Sequence, residues 1–391
     1  MDIKKEVALL NDELIKLRQD FHMHPELGYE EYRTSKIVAN YLEECGLEVK
    51  TVAKTGVVGL LRGREQGRTV LLRADMDALA QTEMNDVPYK SVYEGKMHAC
   101  GHDGHTAMLL VAAKILSRCR DQLKGNIKFV FQPNEETAGA LDMINEGILE
   151  NPRVDAAFGL HLWTPIESGK IGLVAGPTMA ANEEFELAII GKAGHTSSPQ
   201  TAVDPIIVAA TIVQSLQTVQ TRESSVLTPT LIMFGKIQGG TGRNIIADKV
   251  ELGGTIRYLY EDEVRNKELL KEKFERVIKG ICAAMRAEYE MKYIPSNPSV
   301  MNDPKMVELV RTAVKETLGS ESVIVPYLCM AGDDFAEFTH RVPSAYYFVG
   351  TGNKEKGTDY PHHHPRFNID EDTLATGVEL HVRTALAFLN D

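Results

Sequence analysis

The sequence predicts an α/β fold with a mixed sheet, into which a smaller α+β domain is inserted. Three observations carry this reading. First, apolar strands run repeatedly into side chains with chemistry. Thr69–Arg73 leads into Asp75 and Asp77, Asn126–Gln132 into Glu135 and Glu136, and Ala156–Leu160 into His161. Ligands of open α/β sheets lie beyond the carboxyl ends of the strands, so the recurrence points to one site. Second, from about residue 180 the pattern becomes strand, helix, strand, strand, helix, strand, the βαββαβ order of a ferredoxin-like sandwich. Third, 391 residues exceed one ordinary domain. The boundaries expected are residues 1–181 and 296–391 for the larger domain and 182–295 for the insertion.

Residues 3–20 carry apolar positions at helical spacing, and Pro25 ends that pattern. Residues 32–45 form a second helix with Gly46 just past its end. Val57–Leu61 and Thr69–Arg73 read as strands. The stretch Met97 to His105 then gathers His98, Cys100, His102 and His105. Cys100 and His102 are two apart on an extended or looping backbone and so face the same side. Gly101 and Gly104 let the chain bend around an ion. The apolar run Ala107–Leu116 reads as a buried helix, which places the cluster on a loop that opens a helix.

The insertion begins with a strand at Glu184–Ile190. Asp204-Pro205 starts a helix to about Gln220, with Asp as cap and Pro in the first position. Strands at Thr230–Ile237 and Lys249–Arg257, a helix at Glu261–Arg286 and a strand at Glu288–Ile294 complete it. Asn297-Pro298 marks the return. A helix then runs from Asp303-Pro304 to Gly319, and a last one covers Thr373–Phe388. Between them lie Gly332-Asp333-Asp334-Phe335 and His362-His363-His364. The histidine run is internal and flanked by prolines and aromatics, unlike a purification tag.

The net charge of −12 disfavours nucleic acid and anionic membranes as partners. No apolar run approaches membrane-spanning length. The five cysteines (Cys45, Cys100, Cys119, Cys282 and Cys329) are scattered and form no disulfide framework. With no signal-type apolar segment at the start, the chain reads as cytoplasmic.

Cys100, His102, Glu136, His161 and one of the C-terminal histidines make a thiolate, imidazole and carboxylate set suited to Zn²⁺, Mn²⁺ or Co²⁺. Five ligands exceed the need of one tetrahedral zinc, which suggests two ions sharing a site and clamping a water. Glu135, beside a ligand but free of the metal, is the candidate general base. No Ser-His-Asp or Cys-His nucleophile set stands out. The Gly-rich Gln238–Arg243 lacks the context of a phosphate loop.

The fragments Asp75-Met76-Asp77-Ala78-Leu79, His98-Ala99-Cys100-Gly101-His102-Asp103, Gln132-Pro133-Asn134-Glu135-Glu136 and His363-His364-Pro365-Arg366-Phe367 resemble the metal-dependent aminoacylase/carboxypeptidase family. The branch is that of hippurate hydrolase, N-acyl-amino-acid amidohydrolases and auxin-conjugate hydrolases. The resemblance implies a catalytic α/β domain with an inserted lid that also pairs two subunits. It implies one or two divalent ions held by Cys100, His102, Glu136, His161 and His363, with Cys100 as the bridge. It makes Glu135 the general base and Asp77 the acid that orients a ligand. Asp75 falls where other branches carry a metal histidine. Gly194-His195 is similar to the segment that sends a histidine into the partner subunit's site, and Arg243-Asn244 to the one whose Asn binds substrate.

The implied reaction is hydrolysis of an amide bond in an N-acyl amino acid or short peptide. The alternatives are a dedicated N-acetyl-diamino-acid deacetylase and a binding module without activity. Three departures from the family pattern bear on substrate preference: Ala80-Gln81 in place of a proline, Asn134 in place of a small residue, and a Gly-poor Thr137–Ala140.

Overall fold

Runs of apolar residues long enough for strands, joined by helical segments, have to bury both faces of a sheet. The computed structural model describes residues 1–391, apart from the side chain at position 295, and shows that arrangement. By contacts the chain divides into two compact units: residues 1–178, 300–328 and 333–391, and residues 179–299 with 329–332.

The first unit carries an eight-stranded sheet in the order Glu48–Val52, Gly56–Arg62, Lys124–Gln132, Glu65–Asp75, Ala156–Glu167, Ser344–Gly352, Ile171–Gly172, Ile324–Val325. The four strands from Lys124–Gln132 to Ser344–Gly352 are mutually parallel, while Glu48–Val52 and Gly56–Arg62 pair antiparallel. The sheet is therefore mixed, as expected. Its parallel core ends the strands of Asp75 and Gln132 on one side, and His161 stands level with Asp75. His161 lies within its strand and not beyond the end expected at Leu160, because Ser344–Gly352 goes on pairing with that strand as far as Glu167. The helix His102–Ser117 is buried along nearly its whole length. It packs against Leu374–Asn390 and Asn11–Met23. Leu109, Leu110, Val111, Ile115 and Leu116 are fully buried there, at about 1.5–3 kcal/mol for each side chain. That burial anchors the helix end from which His102 projects.

Two helices stand where one was expected near the start, Ile3–Leu9 and Asn11–Met23. Leu10 breaks the run at φ −105°, ψ 5°, and its N–H turns back to Val7 O at 3.0 Å, a tighter turn than the α-helix makes. The central helix begins at His102 and not at Ala107, because Gly101 at φ +94° turns the chain directly into it. Gly46, at φ +76°, ends the helix Tyr32–Glu44 as expected.

The second unit follows the expected element order. Its antiparallel sheet runs Thr230–Gly239, Lys249–Tyr258, Ala181–Ile190, Glu288–Pro295. One face is covered by the helices Pro205–Thr218 and Glu263–Met285. Phe185, Leu187 and Ile189 alternate inward along one strand. They meet Leu270, Phe274, Ile278 and Cys282, spaced by four along the longer helix. Among the described residues no helix is long and apolar enough to cross a membrane.

Candidate metal centre

Gly101 places Cys100 just before the helix and His102 and His105 on its first turn. Glu135 and Glu136 ride on a short turn, Glu135–Thr137, beyond the strand Lys124–Gln132. Asn134 precedes that turn at φ +55°, where an asparagine is tolerated far better than most side chains. Its N–H donates to Glu31 Oε1 (2.9 Å) and its Oδ1 accepts from Thr137 Oγ1 (2.6 Å). The departure from the family pattern at this position thus has a local structural reason. His363 sits at φ +63°, and its N–H donates to Ala99 O at 2.8 Å, tying the histidine loop to the cysteine loop.

Donor atoms of Cys100, His102 and His161 lie within 4.8 Å of one another, as do those of Cys100, Glu136 and His363, and of His102, Glu135 and Glu136. The Cys100 sulfur belongs to both of the first two sets. His161 Nε2 is 3.6 Å from it, and His363 Nε2 is 3.2 Å from Glu136 Oε1. His102 Nδ1 donates to Asp77 O at 2.9 Å, so a neutral ring carries its lone pair on Nε2. That atom is buried without a hydrogen-bond partner, and so is Glu136 Oε1. Buried polar atoms are rarely left so, and a cation between them would satisfy both. Asp77 Oδ2 accepts from Glu136 N (3.1 Å) while Oδ1 lies 3.3 Å from His102 Nδ1. Asp77 therefore touches two of the expected ligands from behind.

The run of three histidines separates by geometry. His363 faces Cys100 and Glu136. His362 donates from Nε2 to Leu162 O (3.0 Å) and stacks on Trp163 at 4.2 Å. Burial holds it neutral, with a pKa of about 3. His364 stacks on Tyr360 at 4.7 Å. Of the first cluster, His105 is turned to Asp75 Oδ1 at 2.6 Å. His98 is buried with neither ring nitrogen hydrogen-bonded. Burial, then Asp333, Glu136 and Asp334, push the Glu135 carboxyl well up. Burial and the nearby Glu136 push the Cys100 thiol up. A divalent cation would oppose both effects.

Sequence reasoning passed over the buried ionic cluster behind these groups. Arg73 Nη1 donates to Asp75 Oδ2 (2.6 Å), Nη2 to Asp334 Oδ1 (3.0 Å) and Nε to Gln132 Oε1 (2.9 Å). Asp333 also accepts from the Tyr346 hydroxyl. The available signal was an arginine closing the apolar strand Thr69–Arg73, since a buried charge implies a partner. Arg73→Met should lower unfolding stability by about 3–5 kcal/mol, because it strands buried carboxylates. Chemical denaturation followed by circular dichroism reads this. A loss below about 1 kcal/mol would mean that the carboxylates are compensated without the guanidinium.

His195 and Asn244 belong to the second unit. Gly194–His195 pairs antiparallel with Ile245–Ile246, and Thr196 N donates to Asn244 O at 3.2 Å. The two residues, 49 apart in the sequence numbering, are thus neighbours in one small ladder. His195 is exposed, and its Nδ1 accepts from Ser197 N–H at 3.1 Å. A neutral His195 ring therefore carries its proton on Nε2 and can donate it.

Residues 71–387 match the peptidase family M20/M25/M40. The chain belongs to that family. Thermostable carboxypeptidase 2 of Saccharolobus solfataricus is 38% identical over 99% of this chain and 98% of its own. N-acetylcysteine deacetylase of Bacillus subtilis is 37% identical over 96% of this chain and 97% of its own. Among solved structures, the Bacillus subtilis YxeP protein, a dinuclear metal-binding peptidase of family M20, superposes with a TM-score of 0.85. It is 34% identical and covers 98% of this chain and 99% of that one. As an M20 member the chain is a hydrolase of C–N bonds.

Proposed function

We propose that the enzyme hydrolyses the amide bond of N-acyl amino acids or short peptides, using one or two divalent ions and Glu135 as general base. The observation that carries this is the Cys100 sulfur shared by two donor sets, with Glu135 beside them. Cys100, His102, Glu136, His161 and His363 would hold the ions, Zn²⁺, Mn²⁺ or Co²⁺ by the chemistry of the set. Bound there, they would lower the pKa of a water and polarise the scissile carbonyl. Glu135 takes the proton of the attacking water and returns it to the leaving nitrogen. Its carboxylate stands 3.9 Å from His102 Nε2, near the donors but outside the set of five. Asp77 holds His102 in the tautomer that presents Nε2. His195 donates from Nε2 to the developing oxyanion, and Asn244 beside it binds the substrate.

The same reading makes the protein a homodimer in which the inserted unit pairs the subunits and His195 serves the partner's site. All five cysteines are free, as a reducing cytoplasm keeps them.

Chelation should abolish turnover, and adding back Mn²⁺, Zn²⁺ or Co²⁺ should restore it. A panel of N-acetyl-, benzoyl- and aminobenzoyl-amino acids, N-acetyl-diamino acids and dipeptides, run with each ion, checks both points. Activity confined to N-acetyl-diamino acids would identify a dedicated deacetylase. No turnover on any member, with metal bound, would leave a binding module.

A further inference from the structure

The Leu162 peptide group touches three histidines, and its two atoms determine where each carries its proton. Leu162 O accepts from His161 Nδ1 at 2.9 Å and from His362 Nε2 at 3.0 Å. A carbonyl oxygen only accepts, so both ring nitrogens must be protonated. Leu162 N–H donates to His105 Nε2 at 2.9 Å, so that nitrogen must be bare. The His105 proton then lies on Nδ1, which donates to Asp75 Oδ1 at 2.6 Å. Asp75 is held in turn by Arg73 at 2.6 Å.

With its proton on Nδ1, His161 offers the Nε2 lone pair towards the Cys100 sulfur. In water a neutral imidazole exchanges between tautomers, and only one of them can use Nε2 as a donor to an ion. The peptide removes that choice. His362 fixes the same carbonyl from the other side. It is clamped between Trp163, stacked at 4.2 Å, and the Phe367 ring at 4.9 Å. His105 and Asp75 fix the N–H. The middle of the strand Ala156–Glu167, which carries His161, is thereby tied to the central helix through His105 and to the histidine loop through His362.

We propose that Leu162 is a hub through which His105, with Asp75, and His362 act as positioning residues for His161, setting its tautomer and aim rather than binding the ion themselves. This rests on the metal-hydrolase reading above. Partners that orient a ligand histidine are typically worth about 10–100-fold in metal affinity.

Two variants separate donation from packing. His362→Phe keeps an aromatic ring against Trp163 and loses the N–H. His362→Gln loses the ring and keeps a side-chain N–H donor. Mn²⁺ affinity of the full-length protein is measured by calorimetry after chelator treatment. His362→Phe should bind about 10–100-fold more weakly than wild type, and His362→Gln should recover most of that loss. Neutron diffraction from deuterated, metal-free crystals should place the protons on His161 Nδ1, His105 Nδ1 and His362 Nε2. Wild-type affinity in folded His362→Phe would overturn the proposal, as would an equal loss in both variants or a His161 proton on Nε2. Failure of wild-type protein to bind Mn²⁺, Zn²⁺ or Co²⁺ would instead overturn the metal-hydrolase reading, and the neutron map would still test the hub.

Discussion

Replacing Glu135 by Gln should lower kcat by about 10²–10⁴-fold or more while the divalent ions remain bound. The substitution keeps the shape of the side chain and removes its capacity to take a proton. Glu135 stands on the turn between Asn134 and Ala138, and its backbone carbonyl accepts from Ala138 N–H at 3.0 Å, a contact that the substitution leaves in place. Its carboxylate approaches His102 but lies outside the two sets that share Cys100. Loss of charge should therefore reach the proton transfer before it reaches the metal. The neighbouring Glu136, by contrast, shares a donor set with Cys100 and His363. Glu136→Gln should reduce metal content as well as turnover. Steady-state kinetics on the best substrate of the panel, paired with elemental analysis of the same samples, separates the two. Near-wild-type turnover in fully loaded Glu135→Gln would remove Glu135 from the role of base.

The strand-end logic was legible because parallel strands impose it. Once Thr69–Arg73, Asn126–Gln132 and Ala156–Leu160 are read as strands of one α/β sheet, the groups at their carboxyl ends must gather on one side. His161 departs from this in detail, since its strand runs on to Glu167. The insertion was legible for a different reason. Its strand Ala181–Ile190 alternates with period two and its long helix repeats apolar residues by four, so the two periods are distinct in the sequence. What stayed hidden depends on contacts between distant residues. The strand Ser344–Gly352 lies beside Ala156–Glu167, and burial on both faces erases its alternation. Glu48–Val52 is an exposed edge strand with little apolar signal.

Buried polar networks were hidden in the same way. Arg18 meets Asp103 across 85 positions at 2.9 Å, and His22 meets the same carboxylate at 2.7 Å. No local pattern announces such a pair. The histidine run shows the limit most clearly. Spacing left three candidates for one ligand position. Only the fold shows that His363, in its left-handed conformation, faces Glu136 while His362 turns to Leu162 and His364 to Tyr360.

Mixing two inactive variants should restore activity if His195 serves the partner subunit. His195→Ala leaves every site without the oxyanion donor, a loss of about 10²–10³-fold. Glu135→Gln leaves every site without the base. In a mixed two-fold dimer, the site built on the His195→Ala subunit keeps its own Glu135 and receives an intact His195 from its partner. The other site has both defects. Equal mixing with free exchange makes half of the dimers mixed, each with one good site of two, so about one quarter of wild-type activity should return. A histidine acting within its own subunit predicts no recovery, because every site in the mixture then keeps one defect. The ladder that joins His195 to Asn244 adds a control. Asn244→Ala lies in the same unit as His195 and should behave as it does, complementing Glu135→Gln but not His195→Ala. Subunit exchange is confirmed independently with differently tagged chains. Exchange without recovery would assign His195 to its own subunit or to no catalytic role.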